Sequence, residues 1–98
     1  MDVLEVITEP HRRAILALVW DDELSAGDIA DNFDVTFGAV SQHLKTLRDA
    51  GLVTMRKAGN KRMYRVDKDG IRPFREVLEA MWTTGLDNLA QAVERDDT

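Results

Sequence analysis

Polar and basic side chains are concentrated in residues 36–66 of this 98-residue chain. The segment contains seven Lys and Arg residues and one acid, Asp49, so it carries +6, while the other residues sum to −11. The whole chain is at −5. A basic surface on an acidic protein is the electrostatic footprint of a site that meets phosphate groups. We therefore expect this segment to contact an anionic partner.

The first candidate group lies on a helix predicted over residues 36–50, here called the reading helix. Its apolar residues Val40, Leu44 and Leu47 share one side, and Ser41, Gln42 and Lys45 lie opposite or nearly so. Hydroxyl, amide and ammonium groups suit base edges and phosphates in a major groove, which admits one α-helix. The helix N-terminus adds free N–H groups for phosphate. An ordinary solvated helix face would look similar if taken alone.

The second candidate group is a basic hairpin, here called the wing, predicted as strands at 53–57 and 62–66 around a Gly-Asn turn. Its tip carries four basic residues and no acid. Edge strands also use Lys to block aggregation, but one or two would be enough for that purpose. Phosphate or minor-groove contact is therefore the favoured interpretation. The residues predicted to contact DNA are Thr36, Phe37, Ser41, Gln42, His43, Lys45, Arg48, Arg56, Lys57, Lys61 and Arg62.

The two histidines give weaker signals. His43 lies at the boundary of the core stripe, where a partly buried histidine bonded to a neighbour is at least as good an interpretation as a phosphate contact. His11, near a helix start, is interpreted as structural or solvent-facing. Two histidines far apart in a chain without cysteine are weak evidence for metal, so no metal site and no cofactor are predicted. No spacing of a nucleophile with its base appears, so we predict no enzyme.

The surrounding elements predict one domain over residues 1–98, mainly α-helical with a small β-hairpin. Short helices are predicted at residues 2–7, capped by Asp2, and from Pro10 to about Val19. A helix at 26–33, opened by Ser25, and the reading helix, capped by Thr36 and ended by Gly51, form a helix-turn-helix over about 26–50. Residues 67–70 read as a turn, and a long helix follows over about 73–95.

The long last helix keeps apolar residues at helical spacing throughout, more than a small domain can cover by itself. Such a stripe is more often core or subunit interface than ligand cavity. We therefore predict a homodimer formed by the first and last helices. The predicted interface residues are Val3, Leu4, Ile7, Phe74, Val77, Leu78, Met81, Trp82, Leu86, Leu89 and Val93.

Composition excludes several classes. The absence of cysteine removes disulfides, thiolate nucleophiles and Cys-ligated metals. Residues 1–20 contain acids and lack a basic start before an apolar run, which argues against a signal peptide. No apolar stretch approaches the roughly 20 residues of a membrane span. These features predict a cytoplasmic protein with no membrane partner.

Three stretches together resemble one known family: VSQHLKTLRDAGLV, the basic wing ending in MYRVD, and the upstream EPHRRAILALV. They resemble the ArsR-type winged helix-turn-helix repressors over roughly the whole chain. The resemblance implies a homodimer with two reading helices in successive major grooves of double-stranded DNA and wings over the flanking backbone. It also implies release of operator DNA on effector binding. Base contacts would then fall on Thr36, Phe37, Ser41, Gln42 and His43.

The chain departs from the metal-sensing members of that family. Where those members carry two thiolate ligands, this chain has Ser25 and Gly27. Its last helix contains no histidine, which the family's other known metal site requires. The resemblance therefore predicts the non-metal-sensing subgroup, with no identified effector. Phe37 and Gly38 replace an Arg-Pro pair of many relatives, which predicts a changed base preference.

The main hypothesis is thus a homodimeric, sequence-specific transcriptional repressor that binds a palindromic operator. A second hypothesis is a protein-interaction module in which the winged helix binds a partner protein. A third, a ligand-binding or enzymatic domain, needs a polar pocket with perturbed acids or a metal. The sequence shows no such cluster, so this hypothesis ranks last.

Overall fold

Six helices and three strands are formed by residues 1–84, the part of the chain that the computed structural model describes. The predicted residues Leu86, Leu89 and Val93 lie outside this range. The helices are α1 (Val3–Thr8), α2 (Pro10–Leu18), α3 (Ala26–Ala30), α4 (Phe37–Asp49), α5 (Lys68–Ile71) and α6 (Arg75–Thr84). The strands are β1 (Leu24–Ser25), β2 (Val53–Ala58) and β3 (Lys61–Val66), and a 3₁₀ turn (Arg72–Phe74) precedes α6.

The helix starts follow from capping side chains. The side chains of Asp2, Ser25 and Thr36 each accept a hydrogen bond, at 3.0–3.1 Å, from a backbone N–H two or three residues ahead. Each bond satisfies one of the N–H groups that a helix start leaves without an internal partner. At the other end of α4, Gly51 has φ of 76°, the left-handed conformation that glycine adopts without strain. These four predicted boundaries are confirmed.

Two predicted boundaries are wrong. The helix predicted over 26–33 ends at Ala30. The side chain of Asn32 donates to the Asp28 carbonyl at 3.0 Å, and the Asn32 N–H donates to Ile29, so the next turn of helix does not form. Residues 67–70, predicted as a turn, are instead the N-cap and the first three residues of α5, because the side chain of Asp67 accepts hydrogen bonds from the N–H groups of Asp69 and Gly70.

The wing belongs to a three-stranded antiparallel sheet of order β1-β3-β2. β2 and β3 pair from Val53–Val66 to Ala58–Lys61, and Gly59 has φ of 65° in the connecting turn. β1, which the sequence analysis missed, pairs Leu24 with Tyr64. Two residues are too few to show the alternation that marks a strand. The predicted winged helix-turn-helix fold is confirmed.

The core joins α1, α2, α3, α4, the sheet and α6. Ile7 and Leu78, both predicted at a subunit interface, are fully buried within the chain and therefore belong to its own core. Trp82 packs edge-on against Trp20 with ring centroids 5.4 Å apart, so it is also largely an internal contact. Leu4 and Val77 remain exposed, at 48% and 39%. No helix within residues 1–84 is long and apolar enough to cross a membrane.

Candidate nucleic-acid interface

The reading helix α4 is fixed by its apolar stripe. Val40, Leu44 and Leu47 are at most 1% exposed, so this side faces the core. Ser41 and Gln42 are consequently exposed on the outer side. A side chain at such a position reaches an external partner without any rearrangement of the core.

The wing and the start of α4 line one cleft. Phe37 and Ser41 of α4 and Lys61 and Arg62 of the wing border the same open cavity of about 380 Å³. Phe37 is 55% exposed there, a high value for an aromatic side chain. The sheet therefore directs the wing tip toward the side of the molecule that presents the N-terminal half of the reading helix.

Three of the four basic residues at the wing tip have no acidic partner among residues 1–84. Lys57 lies directly opposite Arg62 across the two strands, an arrangement that is destabilising for like charges. Among residues 1–84, no carboxylate oxygen lies within 4 Å of Lys57, Lys61 or Arg62. Unpaired, mutually repelling cations on an exposed ribbon provide a favourable position for an anion such as phosphate.

Two other predicted contacts are already paired. Arg56 donates two hydrogen bonds to the Glu23 carboxylate, at 2.7 and 2.6 Å. This hydrogen-bonded pair lowers the pKa of Glu23 and raises the pKa of Arg56. Lys45 contacts Asp49 one turn further along α4 at 2.8 Å. These two cations reach phosphate only in competition with a carboxylate. Arg48 and the capping Thr36 are exposed.

His43 lies on a different side of α4, against the start of α2. Its side chain is 21% exposed and its ring stacks on that of His11, with centroids 5.5 Å apart and planes 9° from parallel. The Arg12 Nε donates to His43 Nδ1 at 3.3 Å, and a Glu9 carboxylate oxygen is 3.6 Å from the same nitrogen. Neighbours within the chain thus surround His43, which favours the partly buried interpretation over a DNA contact.

Burial and the Glu9 carboxylate shift the pKa of His43 in opposite directions, and burial and hydrogen bonds do the same to the pKa of Glu9. Burial lowers the pKa of His43, the Glu9 carboxylate raises it, and the Arg12 guanidinium again lowers it, with a net downward result. Burial raises the pKa of Glu9, but hydrogen bonds from His11 and from the Arg12 backbone outweigh it, so this pKa is lowered. The cluster therefore favours an ionised carboxylate beside a neutral imidazole.

The sequence analysis missed two features here. Arg13, 6% exposed, donates from Nη1 to the carbonyls of Ile7 and Thr8 at 3.0 and 2.6 Å and so satisfies the end of α1. The contact between His11 and His43 has no local sequence signal, since it exists only once α2 and α4 pack together.

Comparisons with known proteins agree with this architecture. The sequence model that describes the arsR family of bacterial regulatory proteins matches residues 9–55 of this chain. The HTH-type transcriptional regulator Rv2034 of Mycobacterium tuberculosis is 38% identical over 96 residues, covering 96% of this chain and 90% of that protein. The arsenical resistance operon repressor of Staphylococcus xylosus is 35% identical over 82 residues, covering 84% and 79%. The crystal structure of a possible transcriptional regulator for arsenical resistance matches with a TM-score of 0.74 at 39% identity, covering 94% of this chain and 96% of that one.

Proposed function

Since the chain belongs to the ArsR family of bacterial regulatory proteins, we propose that this transcriptional regulator is a homodimeric repressor of a palindromic DNA operator. The relative from Staphylococcus xylosus is itself an operon repressor. The observation that carries the proposal is the cleft shared by α4 and the wing, bordered by exposed polar groups and by cations that have no carboxylate partner among residues 1–84. Family and architecture both argue against an enzyme.

Each predicted contact except His43 has a role in this proposal. Ser41, Gln42 and Phe37 approach base edges in the major groove, and Thr36 holds the first turn of α4 with its N–H groups toward a phosphate. Lys57, Lys61 and Arg62 bind the flanking phosphates. Arg48, Lys45 and Arg56 add to the positive field, the last two after release from their carboxylates. His43 is left out of the DNA contacts because α2 covers it.

The homodimer part of the proposal is supported by exposed apolar surface on the first and last described helices. Leu4 on α1 and Val77 on α6 are large hydrophobic residues in contact with water in the single chain. Burial of such surfaces between two copies would place two reading helices on one duplex. Val3, Phe74 and Met81 are half-buried beside them and complete the proposed face.

The proposal also includes the lack of a thiolate metal site at positions 25 and 27 and the place in the cell where the protein acts. Ser25 caps α3 through its hydroxyl, and Gly27 has no side chain, so neither position can hold a thiolate-bound metal. We propose that the protein acts in the cytoplasm, where operator DNA is accessible.

The test is selection of bound duplexes from a random DNA pool, followed by a salt titration on the selected sequence. The expected motif is a palindrome with half-sites about one helical turn apart. A plot of log affinity against log salt concentration should have a negative slope of roughly 0.9 for each phosphate contacted. A flat salt dependence, or no DNA binding at low salt, would overturn the proposal.

The alternative, a protein-interaction module, is favoured by the acidity of the chain outside residues 36–66. Gln42→Ala and Arg62→Ala distinguish the two functions. Loss of DNA binding with intact dimerisation, measured by analytical ultracentrifugation, supports the repressor. Dimerisation of the wild type without specific binding to any selected duplex supports the interaction module.

A further inference from the structure

Both histidines of the chain meet one carboxylate where α2 packs on α4. The chain contains two histidines in total, and their rings stack 5.5 Å apart. His11 Nδ1 is 2.9 Å from one oxygen of Glu9, and His43 Nδ1 is 3.6 Å from the other. One potential ligand atom from each of these three residues lies within 4.8 Å of the other two.

These separations are close to those of a metal coordination shell. Zinc binds imidazole nitrogen and carboxylate oxygen at about 2.0–2.2 Å, so neighbouring ligand atoms around a tetrahedral ion are roughly 3.3 Å apart. The two separations that involve Glu9, 2.9 and 3.6 Å, lie on either side of that value, and all three ligand atoms lie within 4.8 Å of one another. Small side-chain rotations would be enough to place an ion between the three groups.

We propose that Glu9, His11 and His43 form a binding site for a divalent transition-metal ion, with zinc as the best fit. Two imidazoles and one carboxylate suit zinc, nickel and cobalt rather than magnesium or calcium, which prefer oxygen ligands alone. Three protein ligands leave a fourth position for water. The ion would join the start of α2 to the reading helix.

The ligands are held in place by the fold. Glu9 is the N-cap of α2, where its carboxylate also accepts the Arg12 N–H at 3.0 Å. All three residues are half-buried, so side-chain freedom is already reduced while solvent still reaches the site. His11 also contacts the ring of Phe33, with centroids 5.7 Å apart, which supports one face of the cluster.

Arg12 is the competing group. Its Nε donates to His43 Nδ1 at 3.3 Å, and its Nη1 donates to the Val6 carbonyl at 3.1 Å. A cation in the site must displace the first of these bonds, and the second can keep the guanidinium on α1. Removal of this guanidinium is therefore expected to strengthen metal binding.

The experiment uses the full chain without a histidine tag, titrated with Co²⁺ and then with Zn²⁺. One Co²⁺ per chain is expected, with the visible absorption of low-coordinate cobalt and no thiolate band, and Zn²⁺ should displace it. Glu9→Gln, His11→Gln and His43→Gln should each weaken binding by more than about 100-fold, the upper end of the range for loss of an outer-shell partner. Arg12→Gln should tighten it several-fold.

Glu5→Gln is the matched control, because Glu5 is an exposed acid on α1 that is absent from the cluster. Its metal affinity should equal that of the wild type. Zinc should also raise the Tm of the wild type, by on the order of 10 °C at a hundredfold excess over Kd, but not that of His11→Gln. No stoichiometric binding by the wild type, or wild-type affinity in the His11→Gln and His43→Gln variants, would overturn the proposal.

This site deepens the proposed function, since His43 is carried by the reading helix, but its test needs no DNA. Metal binding without DNA binding would overturn the repressor proposal alone. DNA binding without metal binding would overturn the metal site alone and restore the prediction of a non-metal-sensing protein.

Discussion

Two groups of three basic side chains differ in their surroundings. In the wing, Lys57, Lys61 and Arg62 have no carboxylate within 4 Å among residues 1–84. In the second group, which borders another cavity, Lys68 pairs with Asp21 at 3.6 Å, Arg72 with Asp69 at 2.6 Å and Arg75 with Glu79 at 2.6 Å. Lys68 also lies over the Trp20 ring. Within residues 1–84, one group is thus neutralised internally and the other has no carboxylate partner.

This difference has a physical meaning in a chain of net charge −5. Acids outnumber bases by 18 to 13, so an unpaired cation is not caused by a shortage of acidic residues. Exposed ion pairs contribute little to stability, and like charges across a ribbon oppose it. The wing arrangement therefore disfavours folding slightly, which is consistent with the proposed external anion. Position and pairing, rather than the number of basic residues, distinguish the proposed phosphate-binding surface.

The largest expected effect comes from the triple variant K57A/K61A/R62A. DNA affinity should fall by on the order of 100-fold at low salt, and the salt slope should lose roughly 0.9 for each phosphate contact removed. Fluorescence anisotropy with a labelled duplex at several salt concentrations measures both quantities.

The matched control is K68A/R72A/R75A, which removes the same three positive charges from the paired group. At about 0.1 M salt, its DNA affinity should change by less than about fivefold, because charges farther from the DNA than a Debye length of about 10 Å are largely screened. Equal losses in the two triple variants would mean that total charge, rather than the wing, determines binding.

Gln42→Ala tests base reading separately from phosphate affinity. Loss of one bidentate base contact costs about 1–3 kcal/mol, so affinity for the selected operator should fall roughly tenfold or more. Affinity for an unrelated duplex should stay unchanged, since phosphate contacts carry no sequence information. Competition between the two duplexes measures the ratio of the two affinities. A uniform loss on both would assign Gln42 to the backbone contacts instead.

The helix-turn-helix was predictable because its signals are local. Thr36 as a cap, the stripe of Val40, Leu44 and Leu47, and Gly51 in the left-handed conformation each depend on neighbours within one or two turns. The alternation in residues 53–66 likewise predicted the ribbon. Exposure of Gln42 and burial of Leu44 follow from the 100° rotation per residue.

The features that sequence could not supply depend on tertiary packing. β1 is visible only from its pairing with β3. The sequence predicts Arg56 as a DNA contact but gives no sign of its pair with Glu23, which forms once β1 joins the sheet. The argument against metal relied on the sequence distance between His11 and His43, a distance that the packing of α2 on α4 removes.

Glu23→Gln should remove the carboxylate that pairs with Arg56 and leave the Arg56 guanidinium without an ionic partner among residues 1–84. A freed guanidinium within the basic surface is expected to raise DNA affinity a few-fold and to steepen the salt slope by up to about 0.9 per protomer. Mild acidification should not imitate this change, because Arg56 lowers the pKa of Glu23 and keeps it ionised until below the ordinary range of a glutamate. A decrease in affinity would show that Glu23 orients Arg56 toward DNA rather than competing for it.

The smallest expected effect is on stability, and it has the opposite sign to the effect on binding. Lys57→Ala and Arg62→Ala each remove the cross-strand repulsion between these two cations, so the free energy of unfolding should rise by a few tenths of a kcal/mol or stay constant. Arg72→Ala, which breaks a fully exposed pair with Asp69, should lower it by at most about 0.5 kcal/mol. Urea denaturation followed by circular dichroism measures these differences.

If the wing variants were destabilised by more than 1 kcal/mol, roughly the upper limit for one exposed charge pair, the two cations would have a structural role. Their lack of partners could then not be ascribed to an external anion.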